Sequence, residues 1–287
     1  MQKVTREILL AKAAELLSSG TVNRVLGWKA GEFTYDVTPA LFQTAEELEK
    51  DFVYGPFCGA NFSKYLVKET RKDEGKVLVF LKPCDTYSFN QLLTEHRFDR
   101  EKVYAIAIPC AGMLDPRAIK ARAEGIRAVR DLGDTVEIET LYDGTLSVPR
   151  EELLPDRCLF CKSKKPVAYD ERMGEGGEVL DSARFDEVAR LEAMSAEERF
   201  NFWRGELSRC IRCNACRNVC PACTCETCVF DNPNSGVQQR VAVTSFEENM
   251  FHIIRAFHVA GRCTDCGECS RVCPQHIPLH LLNRKFI

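Results

Sequence analysis

The sequence predicts two joined regions: an α/β N-terminal domain on a mainly parallel sheet, residues 1–184 with a linker, and a mainly α-helical, ferredoxin-like C-terminal domain, residues 185–287. Three observations predict this. Two continuous apolar runs, Val77–Leu81 and residues 103–108, read as strands buried on both faces, as in a parallel sheet covered by helices. Two cysteine runs that each end in Cys-Pro lie after residue 206, each preceded by a helix-like stretch. The length of 287 residues matches about two domains of roughly 150 residues each.

In order along the chain, residues 4–17 carry apolar side chains at helical spacing, and Gly20 ends the pattern. Helical patterns follow at 45–52 and 61–72, then the first apolar strand, the second, a helical pattern over 117–132, and a strand over 135–141 with a turn at Asp143-Gly144. Residues 162–181 are rich in Lys, Gly and Glu and lack a period, so they read as a linker. Gly174, Gly176 and Gly177 follow no strand and open no helix, which argues for a turn and against a phosphate loop. Residues 185–207 are helical, with Ser195 and Glu198 at capping-box spacing, and the boundary is drawn near residue 185. Over 246–259 the residues Phe246, Met250, Ile253, Ile254 and Phe257 form an apolar face that reads as core packing.

Hydrophobic residues are 45% of the chain and charged residues 28%, ordinary values for a chain with a core. The net charge is −3, and no Lys/Arg block marks a nucleic-acid or membrane partner. No apolar run approaches a membrane span. The first residues form a polar, helix-like segment, so no secretory signal is expected. Sixteen cysteines without such a signal are read as metal ligands in a reducing cytoplasm rather than as disulfides.

Cys210-x2-Cys213-x2-Cys216-x3-Cys220-Pro221 and Cys263-x2-Cys266-x2-Cys269-x3-Cys273-Pro274 carry the chemistry. Three thiolates at this spacing wrap one loop around three corners of a cubane, and the fourth cysteine ligates the other cluster. Cys210, Cys213, Cys216 and Cys273 are therefore expected to hold one 4Fe-4S cluster, and Cys263, Cys266, Cys269 and Cys220 a second. Zinc is the alternative, but paired knuckles leave the third thiolate and the Cys-Pro unexplained.

Cys84 and Cys110 each follow one of the apolar strands, so parallel pairing would bring both thiols to the carboxyl rim of the sheet. With Cys158-x2-Cys161 they make a third 4Fe-4S site, with Cys58 placed in the same region. Cys223, Cys225 and Cys228 are either part of a fourth site, completed by a distant cysteine such as Cys58, or thiols beside the first two. His276 and His280, at i,i+4, read as one face of a helix. No G-x-S-x-G, H-E-x-x-H or Walker loop is present, and no catalytic residue is identified.

The run from Cys210 to Cys228, CIRCNACRNVCPACTCETC, and the run from Phe251 to Leu279, FHIIRAFHVAGRCTDCGECSRVCPQHIPL, resemble the C-terminal part of β subunits of formate dehydrogenases coupled to a deazaflavin coenzyme. They are similar also to β subunits of sulfhydrogenases and anaerobic sulfite reductases. The KPCD at Lys82 to Asp85, the IPC at Ile108 to Cys110, and Cys158-x2-Cys161 resemble the iron–sulfur domain of deazaflavin-hydrogenase β subunits. The resemblance implies an electron-transfer subunit of an anaerobic oxidoreductase, relaying electrons between a formate dehydrogenase- or hydrogenase-like subunit and a flavin or heterodisulfide-reductase-type partner. The alternative is a flavin-dependent reductase that uses a nicotinamide or a deazaflavin. Hydrogenase β subunits of this type hold a flavin in a longer domain, and a flavin is not expected on this chain alone.

Overall fold

The computed structural model describes residues 4–72, 74–162, 164–175, 183–232 and 245–287, the last segment without the side chains of 245–248. The chain divides into two compact units, Met1–Leu180 and Asp181–Ile287.

The first unit is built on a mixed sheet in the order β2-β1-β4-β5-β9, with β3 also on β1. Its strands are β1 (Arg24–Ala30), β2 (Val37–Phe42), β3 (Phe52–Val53), β4 (Val77–Leu81), β5 (Val103–Ala107) and β9 (Glu171–Arg172). β1–β4, β4–β5 and β5–β9 pair in parallel, whereas β2 and β3 run antiparallel to β1. The sheet is thus mixed, with three parallel pairings through its centre and two antiparallel ones on β1. β1 has no clean apolar signature because it opens on Arg24 and carries Gly27. Both are structural requirements. Arg24 is 2% exposed and is neutralised by Glu69 at 2.8 Å and Glu74 at 2.7 Å. A Cβ on Gly27 would stand 2.7 Å from the Phe52 ring. Trp28, on the same strand, is fully buried among Tyr54 and Phe62.

Helices α1 (Arg6–Ser18), α2 (Ala45–Asp51), α3 (Ser63–Glu69) and α4 (Pro83–Thr94) belong to this sheet layer. The last directly follows β4. Pro83 at its first position suits the fixed backbone of a helix start, and the Asp85 carboxylate accepts from the Lys82 backbone N–H at 3.1 Å.

The pattern over 117–132 does not form one helix. A short α5 (Pro116–Lys120) ends early, Gly125 adopts φ +59°, and β6 (Ile126–Asp131) begins. β6, β7 (Thr135–Thr140) and β8 (Thr145–Pro149) form a separate antiparallel meander over its own small core of Ile119, Val136, Ile138 and Leu153. Helix α6 (Asp156–Leu159) follows. Within the expected linker, β9 adds to the edge of the main sheet. Gly174 is a positive-φ turn, while Gly176 and Gly177 lie outside the described residues.

The second unit is helical: α7 (Asp186–Ala193), α8 (Ala196–Leu207), α9 (Ala215–Val219), α10 (Ser245–Val259), α11 (Glu268–Arg271) and α12 (Leu279–Arg284). The capping box at Ser195 and Glu198 is formed, with reciprocal bonds of 3.2 and 2.9 Å. Two expectations fail here. His276 lies in a loop at φ +54°, and His280 sits in α12, bonded through Nδ1 to the Ser270 hydroxyl at 2.8 Å, so the pair shares no helix face. The face of α10 that packs inward is not the apolar one. Phe257 and Ile253 are exposed, while Asn249, Phe251, His252, Arg255, Ala256 and Val259 are buried. The Phe246 side chain lies outside the description.

Candidate iron–sulfur sites

The two cysteine runs fold into matching loops. In the first, Arg212 and Asn214 adopt φ of 53° and 61°; in the second, Asp265 and Gly267 adopt 55° and 67°. Each left-handed residue stands at the same offset from the first cysteine of its run. Three of the four carry a Cβ and tolerate a conformation that ordinarily favours glycine, which a loop folded tightly around a bound group requires. The turn aims backbone donors at sulfur, as in the 3.4 Å bond from the Arg212 N–H to Cys210 Sγ. Each loop feeds a short helix, α9 with Cys216 and α11 with Cys269 near its start, and these helices pack on one another.

The thiols then group across the two runs. One pocket is lined by Cys210, Cys213, Cys216 and Cys273, with Arg212 and His252. Cys220 lies within electrostatic reach of Cys263, Cys266 and Cys269, and of Cys216 of its own run as well. Burial pushes the Cys263 thiol up to about 11 and the Cys269 thiol up to about 12, and raises Cys216 and Cys266 as well. A buried thiol of this kind ionises only where a metal offsets the desolvation, and a coordinating thiol is deprotonated outright.

The surroundings supply donors to sulfur. His252 Nε2 lies 3.2 Å from Cys210 Sγ, and burial, with Arg255 and Arg212 nearby, lowers the imidazole to about 3, so it stays neutral. The Asn283 amide reaches Cys269 Sγ at 3.6 Å. Asp265 is fixed by Arg284 at 3.0 Å, and the fully buried Glu268 by Arg271 at 2.7 Å. Soft thiolate donors in an enclosed, hydrogen-bonded setting suit iron–sulfur ligation. Among the described residues, no three His, Cys, Asp or Glu side chains are close enough to hold a single metal ion. The fit therefore rests on the donor type and the grouping.

Four N-terminal thiols come together electrostatically, with Cys84, Cys58 and Cys158 each within reach of Cys110. In the parallel β4–β5 ladder Leu81 faces Ala107, so Cys84 and Cys110 stand at equal offsets beyond paired residues. Cys110 is raised to about 11, first by burial and next by Cys158. Cys158 accepts from the Met113 N–H at 3.5 Å. Cys161 follows the end of α6 and is half-buried. Cys58, which the sequence left peripheral, is buried, raised to about 12, and within electrostatic reach of Cys110. Sequence reasoning noted Lys82 only within the KPCD motif and gave it no role of its own. Its ammonium is 1% exposed, pairs with Asp85 at 2.7 Å, donates to the Ala60 carbonyl at 2.8 Å, and lies within electrostatic reach of Cys84 and Cys110. Its only sequence signal was a lysine beside a proline at a strand end. A cavity of about 940 Å³ opens beside Cys110, lined by Tyr54, Gly55, Pro109, Gly112 and Arg150 among others.

Cys223, Cys225 and Cys228 differ in setting. Cys225 is exposed, whereas Cys223 and Cys228 are half-buried.

Residues 206–277 match the family described as a 4Fe-4S dicluster domain. The chain is 23% identical to the F420-dependent formate dehydrogenase subunit beta of Methanocaldococcus jannaschii, over 92% of this chain and 84% of that protein. It is 24% identical to the F420-dependent formate dehydrogenase 1 subunit beta of Methanococcus maripaludis, over 75% of this chain and 71% of that one. The resemblance to β subunits of deazaflavin-coupled formate dehydrogenases is thus shown. A chain of the F420-reducing NiFe hydrogenase complex from Methanosarcina barkeri superposes with a TM-score of 0.41 at 16% identity, covering 54% of this chain and 58% of that one.

Proposed function

We propose that this chain is the electron-transfer subunit of a multisubunit anaerobic oxidoreductase, joining a formate dehydrogenase- or hydrogenase-like subunit to a flavin or heterodisulfide-reductase-type partner. The observation that supports this reading is the pocket that brings Cys273 of the second run beside Cys210, Cys213 and Cys216 of the first, over two matched left-handed loops. Bound there, each 4Fe-4S cluster would supply a site for one electron at a time.

The chain's own residues do the rest. Cys210, Cys213, Cys216 and Cys273 ligate one cluster, and Cys263, Cys266, Cys269 and Cys220 the other. The loops and α10 bury the sulfurs and present N–H donors to them, and both act on potential through burial and hydrogen bonding. The N-terminal unit holds a third cluster on Cys84, Cys110, Cys158 and Cys161, with Cys58 as neighbour. No group on the chain need transfer a proton. No helix among the described residues is long and apolar enough to cross a membrane, and a cytoplasmic location accords with a thiol-rich, reduced protein.

The test is isolation of the native complex under anaerobic conditions. The chain is expected to co-purify with a catalytic subunit and to show little formate or hydrogen oxidation when isolated from it. Recovery as a fully active single chain would contradict the proposal. A second reading, a flavin-dependent reductase, is favoured by the cavity of about 940 Å³ beside Cys110, within the range that holds a cofactor. A stoichiometric flavin spectrum in the purified single chain, with reductase activity, would select it.

A further inference from the structure

The buried face of α10 carries a guanidinium without a hydrogen-bond partner among the described residues. Arg255 is 3% exposed, and among those residues nothing bonds its Nε, Nη1 or Nη2. An isolated buried guanidinium is among the costliest groups a protein can hold. The groups within its electrostatic reach are thiols: Cys216, Cys269, Cys220 and Cys223. Cys216 belongs to one proposed cluster set; Cys269 and Cys220 belong to the other. No carboxylate is among them.

The helix earns this residue a place against its own packing interest. One turn earlier His252, neutral, faces Cys210, while the exposed Ile253 and Phe257 show that apolar residues were available for the inward face. An arginine presents five N–H donors in a planar fork, enough to reach sulfurs on two sides.

We propose that Arg255 is a positioning residue that stands between the two cluster sites, offers its unpartnered N–H donors to the clusters those sites hold, and raises the reduction potential of at least one of them. The inference rests on the two-cluster reading above. When one electron from a low-potential donor enters either site, the negative charge there grows by one. Arg255 stays protonated and no bond to it forms or breaks, so the fixed cation favours the reduced state. Polar burial and donors to sulfur are the levers by which a protein sets such potentials.

The test uses the full chain, reconstituted anaerobically and titrated with dithionite under EPR. The parent chain must first show two C-terminal clusters by iron content and EPR; failure at that step would overturn the two-cluster reading and Arg255's role with it. Given both clusters, Arg255→Gln is expected to keep its iron and to lower the equilibrium constant for reduction of one or both by at least about tenfold, which is about 59 mV for a one-electron couple. Arg255→Lys, which keeps the charge but not the fork, is expected to restore most of that shift. Potentials in Arg255→Gln equal to those of the parent would overturn the proposal. So would loss of iron in both variants, because that marks Arg255 as required for folding alone.

Discussion

Replacing Lys82 with methionine removes the cation from the most deeply buried ion pair in the N-terminal unit. Lys82 and Asp85 are each 1% exposed and meet at 2.7 Å. Removing one partner strands the other charge, which costs about 3–5 kcal/mol. Asp85→Asn strands the ammonium while its amide oxygen can still accept the Lys82 backbone N–H. In Lys82→Met/Asp85→Asn both charges are gone and the asparagine still accepts the Lys82-position backbone N–H, so the double variant is expected to be more stable than either single one, with a coupling energy of about 2–3 kcal/mol. The assay is urea unfolding followed by Trp28 fluorescence in a Trp203→Phe background, since the Lys82 ammonium lies 5.1 Å over the Trp28 ring and a two-unit chain lacks one global transition. The pH dependence has a defined sign. Burial opposes the charge of Lys82, but Asp85 and Cys84 outweigh it and raise its pKa, so the contribution is complete below the ordinary lysine range and lost as pH rises through the raised value. Single-variant losses under about 1 kcal/mol, the size of a surface pair, would refute the reasoning, as would simple addition of the two losses.

Cys213→Ala and Cys266→Ala are each expected to lose about four irons, one cubane each, and to lower the melting temperature of the C-terminal unit, because metal binding is folding free energy in such sites; unchanged iron in both would defeat the ligand assignment. Cys84→Ser/Cys110→Ser in the full chain is expected to lose about four further irons while leaving the C-terminal signals intact, and a full iron count would remove the N-terminal site. Ser195→Ala, which breaks the capping box of α8, is expected to cost about 1 kcal/mol by denaturant unfolding of the C-terminal unit. Asp115, whose carboxyl is held low by Arg117 against the effect of burial, contributes stability above the ordinary carboxylate range that is lost as pH falls through the lowered value; Asp115→Asn is expected to flatten the acid limb of a stability–pH curve.

Much of this arrangement was legible in the residues, for physical reasons. β4 and β5 are continuous apolar runs, so their parallel pairing and the shared rim of Cys84 and Cys110 follow from pattern alone. The capping box of α8 is local chemistry and reads locally. β1 was hidden because Arg24 and Gly27 disguise a buried strand, and only the distant Glu69 and Glu74 make its first residue tolerable there. The 117–132 segment misled because its apolar residues fit a helix, whereas Gly125 and the partner strand β7 decide otherwise. α10 misled most instructively. Amphipathic reasoning turns the apolar stripe inward, but that helix buries His252 and Arg255 toward sulfur and leaves Ile253 and Phe257 outside. The inward face is mixed, with Phe251, Ala256 and Val259 buried beside His252 and Arg255.

The central claim is that the C-terminal cysteines hold two cubanes and not zinc. Iron, zinc and acid-labile sulfide should be counted per chain in anaerobically purified full-length protein, beside a Cys84→Ser/Cys110→Ser variant that silences the N-terminal site. The account predicts about eight irons and about eight sulfides in that variant, as two four-iron clusters require, with negligible zinc. About two zinc ions per chain and no labile sulfide, as paired knuckles would bind, would contradict it.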